Sequence, residues 1–302
     1  MNIYFNRMPV RGPWGGGNKI LTGLVDKCAT EGHTVCFGNT SDIYDIIFCM
    51  DPRPNNSGVH YGHLHAYKER FGSKIIQRVG DVGTHGKPDL TQLVRQTVKH
   101  SDFLIFPSNY AKCMSKFQGK NYRIIRNRPT HIFQKHKRST NNSLTDISLV
   151  THHWSTNVKK GFETYAAIAD KLPDNVSFTY VGRIPAGFQH DNIQIVSPLS
   201  GVELATEIAK HHVYVTASQE EAGANHVLEA MACGLPVLYM KGGGSIPEYV
   251  TNRGIEFDND DNFLNALKQM HENYAEYEQK CFEYQETIDE AVDECYEIIC
   301  NI

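Results

Sequence analysis

The chain has 302 residues, room for two domains of ordinary size, and is 40% hydrophobic and 21% charged. This composition excludes a disordered or fibrous protein, and 30 basic against 34 acidic side chains, a formal net charge of -4, exclude the basic footprint of a duplex nucleic-acid binder. No apolar run approaches the length that spans a bilayer, and Met1–Arg7 lacks the basic-then-apolar layout of a secretory signal.

Met1–Arg7 reads instead as the start of a strand. Short apolar runs then alternate with helical patterns, the signature of a doubly wound parallel α/β protein. In the first half the spacing predicts strands over Asn2–Phe5, Thr34–Phe37, Ile43–Cys49, Lys74–Val79, Phe103–Pro107 and Arg123–Ile125. A helix over Asn18–Glu31 is closed by Gly32. The polar, turn-rich text from Gln134 to Thr145 reads as an interdomain boundary. Beyond it the rhythm restarts, with strands over Ile147–Thr151, Ser177–Val181, Ile193–Val196, Val213–Ala217 and Pro236–Tyr239. Helices are predicted over Gly161–Lys171, Gly201–His211 and His226–Cys233, and the chain reads as helical from Asp260 to its end. The acidic run Glu272–Glu297 reads there as a solvated face.

The eight cysteines are scattered with no CxxC pair, and several sit in apolar stretches. Free thiols in a reducing compartment, the cytosol, are the plain reading. The sequons at Asn39, Asn55, Asn141 and Asn175 then carry no meaning, because glycosylation needs the secretory route.

Residues 213–250 carry the functional argument. A buried strand ends at Ser218, a turn of small residues follows, and a helix starts near Asn225. Such a junction presents unpaired backbone N–H groups and the positive end of a helix dipole, which favour a phosphate. Glu221 lies in the turn and Glu229 one turn into the helix, with seven residues between them. A carboxylate does not usefully face a phosphate, so each suits hydrogen bonds from hydroxyls. The segment resembles the E-x7-E signature of retaining GT-B glycosyltransferases, with the Glu-Ala-Met-Ala-Cys-Gly-Leu-Pro-Val that follows in that family and then a Gly-Gly-x-x-Pro-Glu run. The resemblance implies that Glu221 holds hydroxyls of the donor sugar and that Glu229 binds the nucleotide ribose. It implies also that the N–H groups of Asn225, His226 and Val227 contact the diphosphate.

Two loops extend the match. In 151–162, Lys160 falls where the family lysine neutralises the diphosphate leaving group. The family often has an arginine five residues earlier, where this chain has Ser155. Ser155 or Asn157 then supplies neutral hydrogen bonds, or Arg183 substitutes as the second cation. The loop 11–19, with Gly16 and Gly17, resembles the family's glycine loop beside the donor phosphates and acceptor, while Trp14 stacks on an acceptor or packs internally. Near Gly80–Gly86 the family has an acid or histidine facing the reacting sugar, which makes Asp81 and His85 catalytic candidates against the alternative of an Asp-capped turn. The remaining histidines, His60, His63, His65, His152, His153, His211 and His212, form no convincing metal set.

The resemblance implies an α/β GT-B fold of two Rossmann-like, doubly wound domains facing a central cleft. The first, over 1–133, takes the acceptor. The second, over 146–302, takes a UDP-, GDP- or ADP-linked sugar, and its last helix is free to pack back on the first. It implies transfer to a carbohydrate, glycolipid or other hydroxyl with retention at the anomeric carbon and without a metal ion, Lys160, Glu221, Asp81 and His85 serving the chemistry. A nucleotide-sugar epimerase or phosphorylase on the same fold, or a non-catalytic nucleotide-sugar-binding module, stays open. The basic group Arg123, Arg126, Arg128, Lys135, Lys137 and Arg138 reads either as a solvated linker or as a peripheral contact with anionic lipid.

Overall fold

The computed structural model describes residues 1–10, 16–38, 43–139 and 144–302; Trp14, the first part of the glycine loop, Asn39 and Asn141 lie outside them. The chain divides into two units, Met1–Asn127 with Thr287–Ile302, and Arg128–Glu286.

The first unit runs β1 (Asn2–Phe5), α1 (Gly16–Thr30), β2 (Thr34–Cys36), β3 (Ile46–Cys49), α2 (Tyr61–Phe71), β4 (Lys74–Arg78), α3 (Pro88–Thr97), β5 (Phe103–Phe106), α4 (Asn109–Ser115) and β6 (Tyr122–Ile124). Its strands form one parallel sheet in the order β2-β1-β3-β4-β5-β6. A parallel sheet covered on both faces must be apolar on both, and Ile3, Tyr4 and Phe5 are all buried. Ile3 and Phe5 join the cluster of α1, while Tyr4 joins that of α2 with Tyr61 and Leu64.

The second unit runs α5 (His131–Lys135), β7 (Ile147–His153), α6 (Phe162–Ala169), β8 (Val176–Gly182), β9 (Gln194–Val196), α7 (Gly201–Ile208), β10 (Val213–Thr216), α8 (Asn225–Ala232), β11 (Val237–Met240), α9 (Ile246–Val250), β12 (Gly254–Phe257), α10 (Phe263–Glu272) and α11 (Tyr274–Phe282). A second parallel sheet follows, in the order β12-β11-β10-β7-β8-β9. β12 was not expected. Gly-Ile-Glu-Phe has no strong strand pattern and is held by its register on β11, where a side chain at Gly254 would strike the Val237 carbonyl oxygen at 2.1 Å.

The expected helix beyond Asp260 is broken over Glu283–Thr287. After the break α12 (Ile288–Asn301) belongs to the first unit and buries Ala291, Val292, Cys295 and Ile299 in the α1 cluster. Gly23 of α1 allows this approach, since a Cβ there would meet Val292 Cγ2 at 2.7 Å.

Within the basic group Arg123, Arg126 and Lys135 are exposed, while Arg128, Lys137 and Arg138 are packed. Arg123 pairs with Glu294 and Glu297, Arg128 with Glu286, and the Lys137 Nζ donates to the carbonyls of Phe282 and Tyr284. Arg138 is buried against Glu278 and the Tyr274 hydroxyl, and its N–H donates to the Cys233 carbonyl at 2.9 Å. Residues of the polar stretch before 140 are thereby packed into the second unit, and Glu278 is not on a solvated face. All eight cysteines are free thiols. Among the described residues no helix is long and apolar enough to cross a membrane.

Removing one member of a buried ion pair strands the other charge. Glu278→Ala is expected to lower stability by about 3–5 kcal/mol. The double replacement Arg138→Met with Glu278→Leu should cost far less, and urea unfolding of both proteins measures the difference.

Candidate functional site

The carboxyl ends of β7 and β10, neighbours in the second sheet, carry the loops in which the predicted residues sit. After His153 the chain turns through Trp154–Asn157 into a single 3-10 turn, Val158–Lys160. Asn157 caps that turn by accepting the Lys159 N–H at 2.9 Å, and Ser155 Oγ accepts the Asn157 N–H at 3.2 Å. Gly161 closes it at φ 88°, where any Cβ would lie 2.7 Å from the Ala217 carbonyl oxygen. The left-handed backbone and the close approach both require glycine. The loop after β10 is stitched to this turn by the Gln219 N–H, which donates to the Lys159 carbonyl at 2.8 Å.

Lys160 and Glu221 form an ion pair with little solvent access, and the Ser218 hydroxyl donates to the same carboxylate. Lys159 pairs with Glu220, whose backbone adopts the left-handed φ of 53°. The glycine run after β11 holds this backbone in place. Glu220 and Glu221 donate to the carbonyls of Gly242 and Gly243, and the Ser245 N–H returns a bond to the Glu221 carbonyl at 2.8 Å. At Gly244, φ 69°, a Cβ would stand 2.5 Å from that carbonyl oxygen. Ser245 Oγ accepts the Ala224 N–H at 3.1 Å, which sets the start of α8.

At that start Asn225, His226 and Val227 are the first residues of the helix, whose leading N–H groups lack intrahelical acceptors. The His226 side chain turns inward, 7% exposed, with Nε2 3.1 Å from Thr216 Oγ1. Burial lowers its pKa from near 6.5 to about 3, against the pull of Glu221. Glu229, 6% exposed, takes a hydrogen bond from His152 Nε2 at 2.9 Å. His153 Nε2 lies 2.8 Å from the Tyr165 hydroxyl, which accepts the Ala217 N–H at 3.1 Å. Arg183 is exposed, with its guanidinium 5.8 Å from the centre of the Trp154 ring.

The second unit therefore brings Lys160, Glu221, Glu229 and the first turn of α8 around the ends of β7 and β10. Ser155 and Asn157 are engaged in building the Lys160 turn, and Arg183 is engaged with Trp154. Sequence reasoning missed His152, His153 and His226 as a buried imidazole cluster, with ring centres 5.0–6.3 Å apart for the pairs that include His226. For His152 and His153 the signal was the adjacent pair that closes the strand Ile147–His153.

Gly16, Gly17, Asp81 and His85 lie in the first unit. Gly16 and Gly17 open α1, and Arg78, at the end of β4, lies alongside, its Nη1 3.5 Å from where a Gly17 Cβ would be. Arg78 is buried and donates to Asn127 Oδ1 at 2.5 Å. Asp81 accepts the Gly83 N–H at 2.9 Å and pairs with Lys87 at 2.8 Å. It thus caps a turn, as the alternative reading held. Burial opposes its charge, but Lys87, the Gly83 N–H and Arg53 outweigh that and hold the carboxyl below its usual value. His85 is half-buried in the same turn. Among the described residues no group of three or more His, Cys, Asp or Glu is placed to hold a metal ion.

The buried histidines set a direction for pH. The unfolded chain protonates His226 near pH 6.5 while the folded one resists until about pH 3, so stability is full above 6.5 and falls as pH drops through that window. Burial lowers His212 to about 4 and lowers His211 as well, in the same direction. At pH 5 the His226 contribution to the loss is about 2 kcal/mol. Thermal unfolding between pH 7 and 4.5 should show Tm falling with pH, and His226→Gln should flatten the slope.

Residues 148–273 match the family model described as glycosyl transferases group 1. No curated protein matches the chain. Among solved structures, Anabaena HepE in complex with UDP-glucose superposes with a TM-score of 0.73 at 14% identity, covering 100% of both chains. WaaG, a glycosyltransferase involved in lipopolysaccharide biosynthesis, superposes at 0.65 with 16% identity over 99% of this chain and 100% of its own. Sucrose-phosphate synthase from Thermosynechococcus elongatus superposes at 0.69 with 14% identity, over 99% and 98%. At such identities the structural likeness speaks for the fold, and the family match speaks for the segment that carries Lys160, Glu221 and Glu229. The chain has the GT-B fold, and its residues 148–273 are similar to the group 1 glycosyl transferases.

Proposed function

We propose that the protein transfers a sugar from a nucleoside diphosphate donor to an acceptor hydroxyl, with retention at the anomeric carbon and without a metal ion. The observation that carries this reading is the Lys160–Glu221 pair, set by the Gly161 turn and the glycine run 242–244 beside the first turn of α8. Diphosphate leaving groups need positive charge where negative charge develops, and sugar hydroxyls need an acceptor. Lys160 and the N–H groups of Asn225, His226 and Val227 supply the first, and Glu221 supplies the second. Glu229 takes the ribose hydroxyls. No protein nucleophile is required: the acceptor oxygen attacks the anomeric carbon on the face the diphosphate leaves, and its proton passes to a departing phosphate oxygen.

Ser155, Asn157 and Arg183 line the same loops and add neutral and cationic contacts to the donor. By the same reading the first unit takes the acceptor, Gly16 and Gly17 count among the donor-binding residues, and Asp81 and His85 among the catalytic ones. HepE was solved with UDP-glucose, which makes a UDP-sugar the first donor to test. Free thiols and the absence of a membrane-spanning helix among the described residues fit a cytosolic enzyme.

Thermal unfolding with millimolar UDP, GDP, ADP, CMP and NAD is expected to shift Tm upward by a few degrees with one nucleoside diphosphate, equally in EDTA, because ligand at about a hundred times Kd adds about 2.7 kcal/mol. A shift only with NAD or only with added metal would overturn the reading. With the matching nucleotide sugar, Lys160→Ala and Glu221→Ala are each expected to cut turnover at least about tenfold, a rise of about 1.4 kcal/mol in the barrier. Wild-type rates from both would remove them from the site.

A further inference from the structure

We infer that His152 is the positioning residue for Glu229, and that recognition of the donor ribose depends on this imidazole. The inference rests on the reading of Glu229 as the ribose-binding carboxylate and adds a residue which neither motif nor family match assigns.

Glu229 belongs to α8 and His152 to β7, so their contact joins the helix to the sheet from separate parts of the chain. The Nε2–Oε2 distance is 2.9 Å, and both side chains are more than nine-tenths buried. A carboxylate only accepts, so Nε2 carries the proton and donates. Nδ1 is buried and, among the described residues, has no hydrogen-bond partner. No bond from Nδ1 therefore competes for the orientation of the ring. The backbone that carries the ring is held as well. The Tyr214 hydroxyl, on the neighbouring strand β10, accepts the His152 N–H at 3.1 Å and donates to the His152 carbonyl at 3.3 Å. The Tyr214 and His226 rings stand edge-on to the imidazole at 5.5 and 6.3 Å.

A buried carboxylate without a donor is costly and rotates or protonates to escape that cost. With His152 in place, one oxygen of Glu229 is tied to the sheet and the carboxylate plane is set before the nucleotide arrives, which spares the ordering cost on binding. His152 acts on the ribose through Glu229 rather than by contact. This differs from a purely structural role, in which loss of His152 would weaken every ligand of the site alike.

The test is calorimetric. Whichever of UDP, GDP and ADP the wild type binds is compared with its 2′,3′-dideoxy analogue on wild type, His152→Phe and His152→Gln. Hydrogen bonds from ribose hydroxyls to a carboxylate predict that the wild type favours the full nucleotide by about tenfold or more. His152→Phe keeps a ring of similar shape without the donor, and is expected to weaken the full nucleotide but not the dideoxy analogue, bringing the ratio below about two. His152→Gln retains an N–H donor and should restore most of the ratio; should the Phe variant fail to fold, His152→Leu, which also lacks a donor, takes its place with the same expectation. An undiminished ratio in His152→Phe, or equal weakening of both ligands, overturns it. A wild type that binds both ligands equally overturns the ribose reading of Glu229 itself.

Discussion

Burying a carboxylate costs several kcal/mol unless donors meet it, and the second unit buries two of them, Glu221 and Glu229, within one strand–turn–helix junction. Each is met from β7 or the loop that follows it: Lys160 reaches Glu221, and His152 reaches Glu229. The rest of the junction serves those two meetings. Gly161 lets the Lys160 turn press against Ala217, and Gly244 lets the backbone of Glu221 close on the loop after β11. Ser218, Thr216, Tyr165 and Ser245 then satisfy the polar groups that this close packing removes from water.

The same accounting explains the acidic end of the chain. A helical run rich in Glu and Asp reads as a solvated face, yet its carboxylates meet the arginines near residues 123–138. Arg138 meets Glu278, Arg128 meets Glu286, and Arg123 meets Glu294 and Glu297. The first two contacts lie in the second unit, while those of Arg123 lie in the first. The break at Glu283–Thr287 lets one acidic run serve both units. Of the acidic run only Glu278 is buried, and its remaining carboxylates stay largely exposed, as a solvated face requires.

Much of this was legible because parallel strands buried on both faces must be near-continuous apolar runs, so Phe103–Phe106, Val213–Thr216 and Val237–Met240 announce themselves. α8 was legible from the small-residue turn before it and Cys233-Gly234 after it. β12 was not, because Gly254–Phe257 holds a single Ile-Glu-Phe alternation, too short to stand out, and is held by its pairing with β11. The roles of Ser155 and Asn157 were illegible for another reason: a short polar side chain reads equally as a ligand contact or a cap, and only its hydrogen-bond partner decides. Asp81 posed the same choice, and its bonds to Lys87 and the Gly83 N–H show the turn that it caps.

By itself the sequence determined the α/β class, the spacing of Glu221 and Glu229, and the glycines that the turns demand, because periodicity, spacing and φ preference are local properties of the chain. Only the tertiary structure decided which charges neutralise each other, which histidines are buried, and where the last helix packs. Those depend on contacts between residues far apart in the chain: 61 positions separate Lys160 from Glu221 and 77 separate His152 from Glu229. No local pattern encodes such a meeting, since it is the parallel order of β7 beside β10 that brings the two loops to one edge of the sheet.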